Sequence, residues 1–202
     1  MKTKTRVKKM ALIAMLGALS TVLMFIKTPL PFMPPFMDFD LASLPEIIGG
    51  FALGPVSAVV IIIVKILLKI AFLGTSTAFT GEVQNVLVSM AYVLPAVILY
   101  HKNKSKSTAI KGMILGVVCC VVVATLTNVY IMVPLYAKLY FNAPTQAIVD
   151  MCHAVCPLIN DIWTMAIFGI VPFNIIKFGV TSVVTYIIYK KIHRLILNFT
   201  NQ

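Results

Sequence analysis

Long stretches without charged side chains dominate this chain, and they restrict its possible folds more than any motif does. Residues 10–26 and 112–137 contain no Asp, Glu, Lys, Arg or His. A helix needs about 20 predominantly apolar residues to cross the roughly 30 Å hydrocarbon core of a bilayer. Because 60% of the 202 residues are hydrophobic, a single soluble core could not bury them. The sequence therefore predicts an all-α integral membrane protein.

The basic residues predict how the chain crosses the membrane. Twelve of the 17 Lys and Arg residues fall in three short segments. Such clusters stay on the cytoplasmic side, so an even number of spans separates one segment from the next. Topology then accounts for the net charge of +11, and no nucleic-acid partner is predicted. The clustered residues are Lys2, Lys4, Arg6, Lys8, Lys9, Lys102, Lys104, Lys106, Lys111, Lys190, Lys191 and Arg194.

Six transmembrane helices in a single domain, residues 1–202, satisfy this parity and place both termini in the cytoplasm. Gly54-Pro55 divides an apolar stretch that is too long for one span, because Gly can end a helix and Pro can begin one. The loops 27–42, 74–80 and 136–160 are then external, and every Asp and Glu lies in or beside one of them. The predicted helices cover residues 10–26, 43–53, 55–73, 81–100, 109–135 and 160–190.

Polar side chains within the spans need a reason, because lipid penalises them unless they face a cavity or a partner. Asn174 and Lys177 in the last helix are three residues apart and therefore share a face. An amide beside an ammonium suits a heteroaromatic ring with carbonyls and ring nitrogens. The open alternative is that Lys177 extends to the membrane surface while Asn174 caps a neighbouring helix. Helix 5 similarly carries Thr125 and Asn128 on one face, followed by Tyr130.

Charged faces also occur on helices 3 and 4. Gly-Glu-x-x-Asn opens helix 4 and places Glu82 and Asn85 on one face, while Lys65 and Lys69 lie one turn apart on helix 3. These residues could contact a ligand. The favoured interpretation is that Glu82 pairs with Lys65 or Lys69, which would fix helix packing without touching a ligand.

Cys152, His153 and Cys156 are close enough in sequence to ligate a metal. Three candidate ligands without a fourth make a weak zinc signal, so ordinary loop packing and no metal are predicted. An intramembrane enzyme built on these residues would need a nucleophile paired with a base, which the sequence does not show. No Walker A pattern occurs, so the chain is not predicted to hydrolyse ATP itself.

Taken in order, these motifs resemble the substrate-binding S components of energy-coupling-factor (ECF) vitamin transporters, most closely the riboflavin-specific members. The likeness covers essentially the whole chain. The element PFNIIK is the most specific, because riboflavin-type members use its Asn and Lys on the isoalloxazine ring. The matching motifs are DLASLPEIIGGFALGP at 40–55, Lys65, Gly-Glu-x-x-Asn at 81–85, Asn-x-x-x-x-x-Pro-Leu-Tyr at 128–136 and PFNIIK at 172–177.

The chain departs from the family pattern at two positions. Ser43 stands where many relatives have a second acidic residue, which could alter contacts beneath the ligand. Phe178 follows the lysine where glycine is common, which should change helix packing only.

The resemblance implies a binding protein of the bacterial cell membrane, without catalytic chemistry, that captures riboflavin from outside. Riboflavin is its transported ligand, and no cofactor is expected. The protein would dock on a transmembrane coupling subunit, EcfT, which holds two ATPase subunits, and ATP turnover there would tip it to release the ligand inside. The implied substrate-binding residues are Phe36, Asp40, Leu44, Lys65, Glu82, Asn85, Asn128, Tyr130, Asn174 and Lys177.

Two further segments receive roles by the same resemblance. Ala11, Ala14 and Ala18 form a small-residue face on helix 1 that would let another helix approach closely, and it is assigned to docking. The Pro- and Phe-rich loop 27–42 is expected to close over the ligand, with Asp40 anchoring its end near helix 2. The alternative for this loop is an aromatic belt at the lipid head groups.

Two other functions remain open from the sequence. The same architecture could be specific for another vitamin or a related heterocycle. A stand-alone secondary transporter is the second alternative, although paired inverted repeats with broken helices are not visible in the sequence.

Overall fold

The computed structural model describes residues 2–29, 37–75 and 77–201, and these residues are almost entirely helical. Two short strands pair antiparallel, with Thr28 opposite Phe39. π-Helical turns occur at Asn128–Met132, Ala137–Phe141 and Ala166–Ile170. The other elements are α1 (Lys2–Phe25), β1 (Thr28–Pro29), β2 (Asp38–Phe39), α2 (Ser43–Leu53), α3 (Pro55–Leu73), α4 (Thr80–Lys102), α5 (Lys106–Thr127), α6 (Val133–Tyr136), α7 (Thr145–His153), α8 (Ile162–Met165) and α9 (Val171–Asn201).

Five helical segments within the described residues are long and apolar enough to cross a membrane. Their outer faces carry large apolar side chains, such as Val56, Phe72 and Ile187, that stay exposed in the isolated chain. A bilayer would cover such faces. The predicted all-α membrane architecture is therefore confirmed at this level. The five segments are Arg6–Phe25, Pro55–Leu73, Thr80–Lys102, Lys106–Leu139 and Ile162–Ile188.

α2 and α3 have the predicted bounds, whereas the ends of other helices differ from the prediction. α1 begins at Lys2 instead of residue 10, because Lys and Arg are good helix formers and do not end a helix. The helix predicted to end at residue 135 continues to Phe141. Pro134 does not break it, because it falls in the first turn after a π-helical turn, where its missing N–H is tolerated.

Further differences concern the outer loop and the last helix. The predicted external loop 136–160 contains α7 (Thr145–His153). The last helical segment begins at Ile162, close to the predicted residue 160, but it runs to Asn201 instead of residue 190. No proline or glycine follows Gly179 to end it.

α2 is too short to be one of six complete spans. Its 11 residues rise about 16 Å, roughly half the thickness of the hydrocarbon core. Gly54, with φ 98°, reverses the chain into α3, and Pro55 occupies the first turn of that helix. The Gly50 carbonyl of α2 lies 3.0 Å from His101 Nε2 at the end of α4. α2 therefore occupies the half of the bundle nearest the basic segment 102–111, hereafter the basic end.

A buried ion pair joins α2 to α3. Lys65 Nζ lies 2.5 Å from Glu46 Oε1, and both side chains are fully buried. Lys65 also donates to Asn85 Oδ1 at 2.6 Å and to Ser89 Oγ at 3.2 Å on α4. Ser20 Oγ of α1 lies 3.3 Å from Glu46 Oε1. This chain of contacts links four helices, and the Glu46 carboxylate neutralises an interior lysine.

α4 and α5 are antiparallel and approach closely through two glycines one turn apart. A Cβ added at Gly112 would meet the Ala96 carbonyl oxygen at 2.7 Å, and one at Gly116 would overlap the Tyr92 carbonyl oxygen. Small residues at this spacing let helix backbones touch in lipid. The pairing brings the start of α4 and the end of α5 to the same end of the bundle, opposite the basic end.

Candidate ligand-binding site

A cavity of about 640 Å³ lies at the end of the bundle opposite the basic end. Its volume falls within the roughly 300–1,000 Å³ typical of small-molecule sites. The end of α1, the β-hairpin, α3, the start of α4, the end of α5 and the start of α9 contribute to its wall. Its apolar lining includes Met24, Phe25, Met37, Val88, Met132 and Phe173. The cavity thus offers a mainly apolar surface on which a few polar groups converge.

Two asparagines line the cavity from neighbouring helices. Asn128 stands at the start of the first π-helical turn, and its Nδ2 donates to the Ala124 carbonyl at 2.7 Å. Asn174 Nδ2 donates in the same way to the Ile170 carbonyl at 2.8 Å. Each bond holds the side chain against its own helix and so orients the rest of the amide. Asn174 does not cap a neighbouring helix, which removes that alternative for this residue.

Lys177 lines the same wall and is almost fully buried. Its Nζ donates to Asp40 Oδ2 at 2.8 Å, while Asp40 Oδ1 accepts from the Ala42 backbone N–H at 2.9 Å. Lys177 therefore does not extend to the membrane surface. Asp40 ties the end of the β-hairpin to α9 and to the residue before α2, as expected for an anchor of the 27–42 loop. This ion pair places one cation and one anion in the cavity wall.

The α4 side of the cavity carries a second ion pair. Glu82 pairs with Lys69, and its other carboxylate oxygen accepts from Thr77 Oγ1 at 2.8 Å. The prediction that Glu82 pairs with a lysine of helix 3 is confirmed, with Lys69 as the partner. Both residues also line the cavity, as does Asn85. The pair thus fixes the packing of α3 on α4 and still presents charge to the interior.

Gln84 is a site residue that the sequence reasoning missed. It lines the cavity, and both its Nε2 and its Oε1 are buried without a hydrogen-bond partner among the described residues. An amide left without partners in this way is costly, typically by about 1–3 kcal/mol per group. The motif Gly-Glu-x-x-Asn drew attention to its neighbours, and the only signal for Gln84 was an amide near the start of a membrane helix.

Three residues predicted to bind the ligand lie outside the cavity lining. Tyr130 is 64% exposed and packs edge-on against Trp163. Residues two apart on a helix point in different directions, so Asn128 and Tyr130 cannot face the same site. Lys65 is fully buried beneath the cavity and reaches it only through Asn85 and Ser89. Leu44 packs against the apolar core instead.

The remaining predictions for this end of the molecule concern the loop and the two departures from the family pattern. Phe36, Phe32 and most of the prolines of the 27–42 loop lie outside the described residues. Ser43 lines the cavity as the first residue of α2. Phe178 also borders the cavity, so its position is not confined to helix packing as predicted. Its ring lies tilted against the Tyr92 ring in the core, with centroids 4.6 Å apart.

Two of the candidate metal ligands beyond α5, Cys152 and His153, make structural contacts instead. Cys152 is buried, and burial raises the pKa of its thiol to about 11. His153 Nδ1 bonds the Ile159 carbonyl at 2.7 Å. At the start of α8, the Thr164 and Trp163 backbone N–H groups donate to Asp161 and lower the pKa of that carboxyl. Among the described residues no three His, Cys, Asp or Glu side chains are grouped to hold a metal ion.

The small-residue face of α1 is exposed. Ala11, Ala14 and Ala18 point away from the bundle, whereas Gly17 is buried against Val64 of α3. α1 therefore uses its glycine for contact within the chain and leaves its alanines accessible.

Comparison with known proteins identifies the family to which this architecture belongs. The family described as "ECF transporter, substrate-specific component" matches residues 8–189. The chain is 31% identical over 186 residues to the riboflavin transporter RibU of Staphylococcus aureus, covering 92% of this chain and 90% of that protein. It is 27% identical to the riboflavin transporter FmnP of Bacillus subtilis, covering 93% of each. A solved S component of a bacterial ECF transporter superposes with a TM-score of 0.70 at 28% identity, covering 98% of this chain and 99% of that one.

The chain therefore belongs to the substrate-specific components of ECF transporters. It is a multi-pass protein of the bacterial cell membrane that takes part in transport and is not an enzyme. The resemblance drawn from the sequence motifs is confirmed.

Proposed function

We propose that this protein binds riboflavin in the cavity and delivers it inward when docked on an ATP-driven ECF module. The observation that carries the proposal is the cavity of about 640 Å³ into which Asn128, Asn174 and Lys177 converge from two helices. Two relatives that align over nine-tenths or more of their lengths are named riboflavin transporters, which supports the same ligand here.

The chemistry of the cavity suits a flavin. Riboflavin has a flat apolar ring system with carbonyl acceptors, ring nitrogens and one N–H along its polar edge. An asparagine amide can both donate and accept, and a lysine ammonium donates to a carbonyl. Asn128, Asn174 and Lys177 are therefore assigned to the polar edge of the ring. Phe173 and the methionines of the lining supply the apolar faces.

The ribityl chain of riboflavin carries several hydroxyls, which need both hydrogen-bond donors and hydrogen-bond acceptors as partners. Glu82, Lys69, Asn85 and Gln84 line the opposite, α4 side of the cavity. We assign the hydroxyls to this side. The ligand would then lie across the cavity, with its ring against α5 and α9 and its chain towards α4.

The orientation in the membrane follows from charge. The basic segment 102–111 lies at the opposite end of α4 and α5 from Glu82 and Asn128. If the basic end is cytoplasmic, the cavity opens to the outside. The exposed alanines of α1 are then available to the coupling subunit while the ligand is held at the outer end.

Purified protein tests the ligand. We expect a flavin absorption band in protein isolated from its host, and saturable quenching of riboflavin fluorescence by protein stripped of ligand. Asn174→Ala removes one polar contact and should weaken binding roughly 5- to 150-fold, because an unpaired buried group costs about 1–3 kcal/mol. Asn103→Ala, at the basic end, is the matched control. Folded protein that binds another vitamin and ignores riboflavin would refute the flavin assignment.

A further inference from the structure

A second apolar depression lies near the basic end, outside the ligand cavity. It has a volume of about 430 Å³ and runs between α5 and α9. On α5 it follows the stripe from Ile110 to Val118, about 12 Å of helix. We call it the α5–α9 groove. Its lining is almost wholly apolar, and the hydroxyl of Ser182 within it already bonds Tyr92 Oη at 2.8 Å and the Phe178 carbonyl at 2.7 Å.

Gly179 contributes to the groove, because it places no side chain between α5 and α9. A Cβ added at this position would meet no atom within 4 Å. Ile114, Val118 and Val183 border the gap and are each more than half exposed. The groove therefore opens towards the hydrocarbon of the bilayer, where an acyl chain can fill it.

Cationic side chains stand at one end of this groove. Lys106 lies one turn before Ile110 on the same stripe of α5, and its Nζ sits 4.5 Å from the centre of the Tyr186 ring, which also lines the groove. Lys111 precedes Ile114 by three residues and is exposed. No Asp or Glu occurs between residues 83 and 149 or after Asp161. The cations at this end therefore have no nearby acidic residue on α5 or α9.

We propose that the α5–α9 groove binds an anionic glycerophospholipid. One acyl chain lies in the groove beside Gly179, and the phosphate of the head group is held by Lys106 and Lys111. An apolar slot of this length suits a hydrocarbon chain, while adjacent lysines at a membrane surface attract anionic head groups. The groove presents no unsatisfied hydrogen-bonding group to a partner helix, because the Ser182 hydroxyl is already bonded. This site is distinct from the riboflavin cavity and does not depend on the ligand assigned there.

The test uses the full chain in nanodiscs of phosphatidylcholine and phosphatidylglycerol, followed by release into detergent and native mass spectrometry. Wild-type protein should retain one phosphatidylglycerol in preference to phosphatidylcholine. Replacing Lys106 and Lys111 by Gln should weaken retention about 5-fold per lysine removed. Gly179→Leu should abolish retention by filling the groove, and the open space there leaves the fold intact.

Two matched controls keep the test decisive. Lys138→Gln removes an exposed cation outside the basic end, and Leu67→Phe adds bulk to a lipid-facing surface of α3. Both should retain lipid like wild type, and circular dichroism checks that every variant is folded. Equal retention of the two lipids, or unchanged retention by folded Gly179→Leu, would overturn the proposal. If Gly179→Leu lost the coupling subunit while keeping the lipid, the groove would be a protein-docking site instead.

Discussion

At the scale of single residues, a substitution of Gln84 is expected to affect protein stability and ligand affinity in opposite directions. Its amide lies in the cavity wall and has no hydrogen-bond partner among the residues that the structure describes. Gln84→Leu keeps much of the volume and removes that unsatisfied amide, so the free protein should become slightly more stable. Riboflavin should bind about fivefold more weakly, because a hydrogen bond contributes about 1 kcal/mol. Thermal unfolding and fluorescence titration measure the two effects, and an unchanged dissociation constant would exclude Gln84 from the site.

Lys177 donates to Asp40 and also lines the cavity, so its structural role has to be separated from a role in ligand binding. Lys177→Met should destabilise the protein by about 3 kcal/mol, since it leaves the buried Asp40 carboxylate unpaired. Adding Asp40→Asn to this variant removes the orphaned charge and should restore much of the stability. If Lys177 contacts the ligand, riboflavin affinity should stay low in the double variant. Recovery of both stability and affinity would show that Lys177 only anchors the hairpin.

Much of this site could be read from the sequence, and its omissions have physical causes. Asn174 and Lys177 were predictable because spacing by three fixes a common helix face. The partner of Lys177 was not, since Asp40 lies 137 residues away along the chain. Lys65 was predicted to pair with Glu82 or to contact a ligand, but it pairs with Glu46. Sequence spacing cannot choose between carboxylates on different helices.

At the scale of the elements, local chemistry fixed some helix ends and left others open. Gly54-Pro55 combines a residue that accepts positive φ with one that begins a helix, so α2 and α3 were predicted with their observed bounds. The start of α1 and the end of the helical stretch that continues from α5 to Phe141 differ from the predicted bounds, because neither charged residues nor a single proline ends a helix here. π-Helical turns shift the register around Asn128 and Pro134, and no simple periodicity reports them.

The contact between α4 and α5 yields a prediction about stability. Gly116→Ala would drive a methyl group into the Tyr92 carbonyl oxygen, so the helices must separate, at an expected cost of about 1–3 kcal/mol. Gly179→Ala is the matched control, because its methyl group meets open space. That change should be neutral or stabilising by up to about 1 kcal/mol from helix propensity. Thermal unfolding in one detergent compares the two, and equal effects would show that Gly116 does not set the helix spacing.

At the scale of the whole molecule, the basic end and the cavity lie at opposite ends of the bundle. The positions of the lysines then predict which end faces the cytoplasm. Single cysteines at Lys104 and Asn142, in a background without the native thiols, should differ in reaction with an impermeant reagent applied to intact cells. The position at 142 should be labelled and the one at 104 protected, since clustered lysines remain cytoplasmic. Permeabilised cells show whether both sites can react. The reverse pattern in intact cells would show that the basic end is external and that the cavity opens to the cytoplasm.

Transport requires that ligand binding and partner docking use different surfaces. Ala11, Ala14 and Ala18 are exposed on α1, whose buried Gly17 faces α3, so large side chains at 14 and 18 would project outwards. Ala14→Trp with Ala18→Trp should therefore leave the riboflavin affinity of the isolated protein unchanged. The same double variant should fail to assemble with the coupling subunit, because a close helix contact tolerates only small residues.

Three measurements on that variant distinguish an S component from a self-sufficient carrier. Flavin titration reports the cavity, co-purification reports assembly, and uptake of riboflavin by cells reports the whole cycle. Leu19→Trp, at an exposed position of the same helix turned about 100° from Ala18, controls for added bulk. Loss of uptake with intact binding is expected for the alanine-face variant alone. Normal uptake by that variant would argue against docking through α1, and uptake in a host without ECF subunits would show that the chain transports unaided.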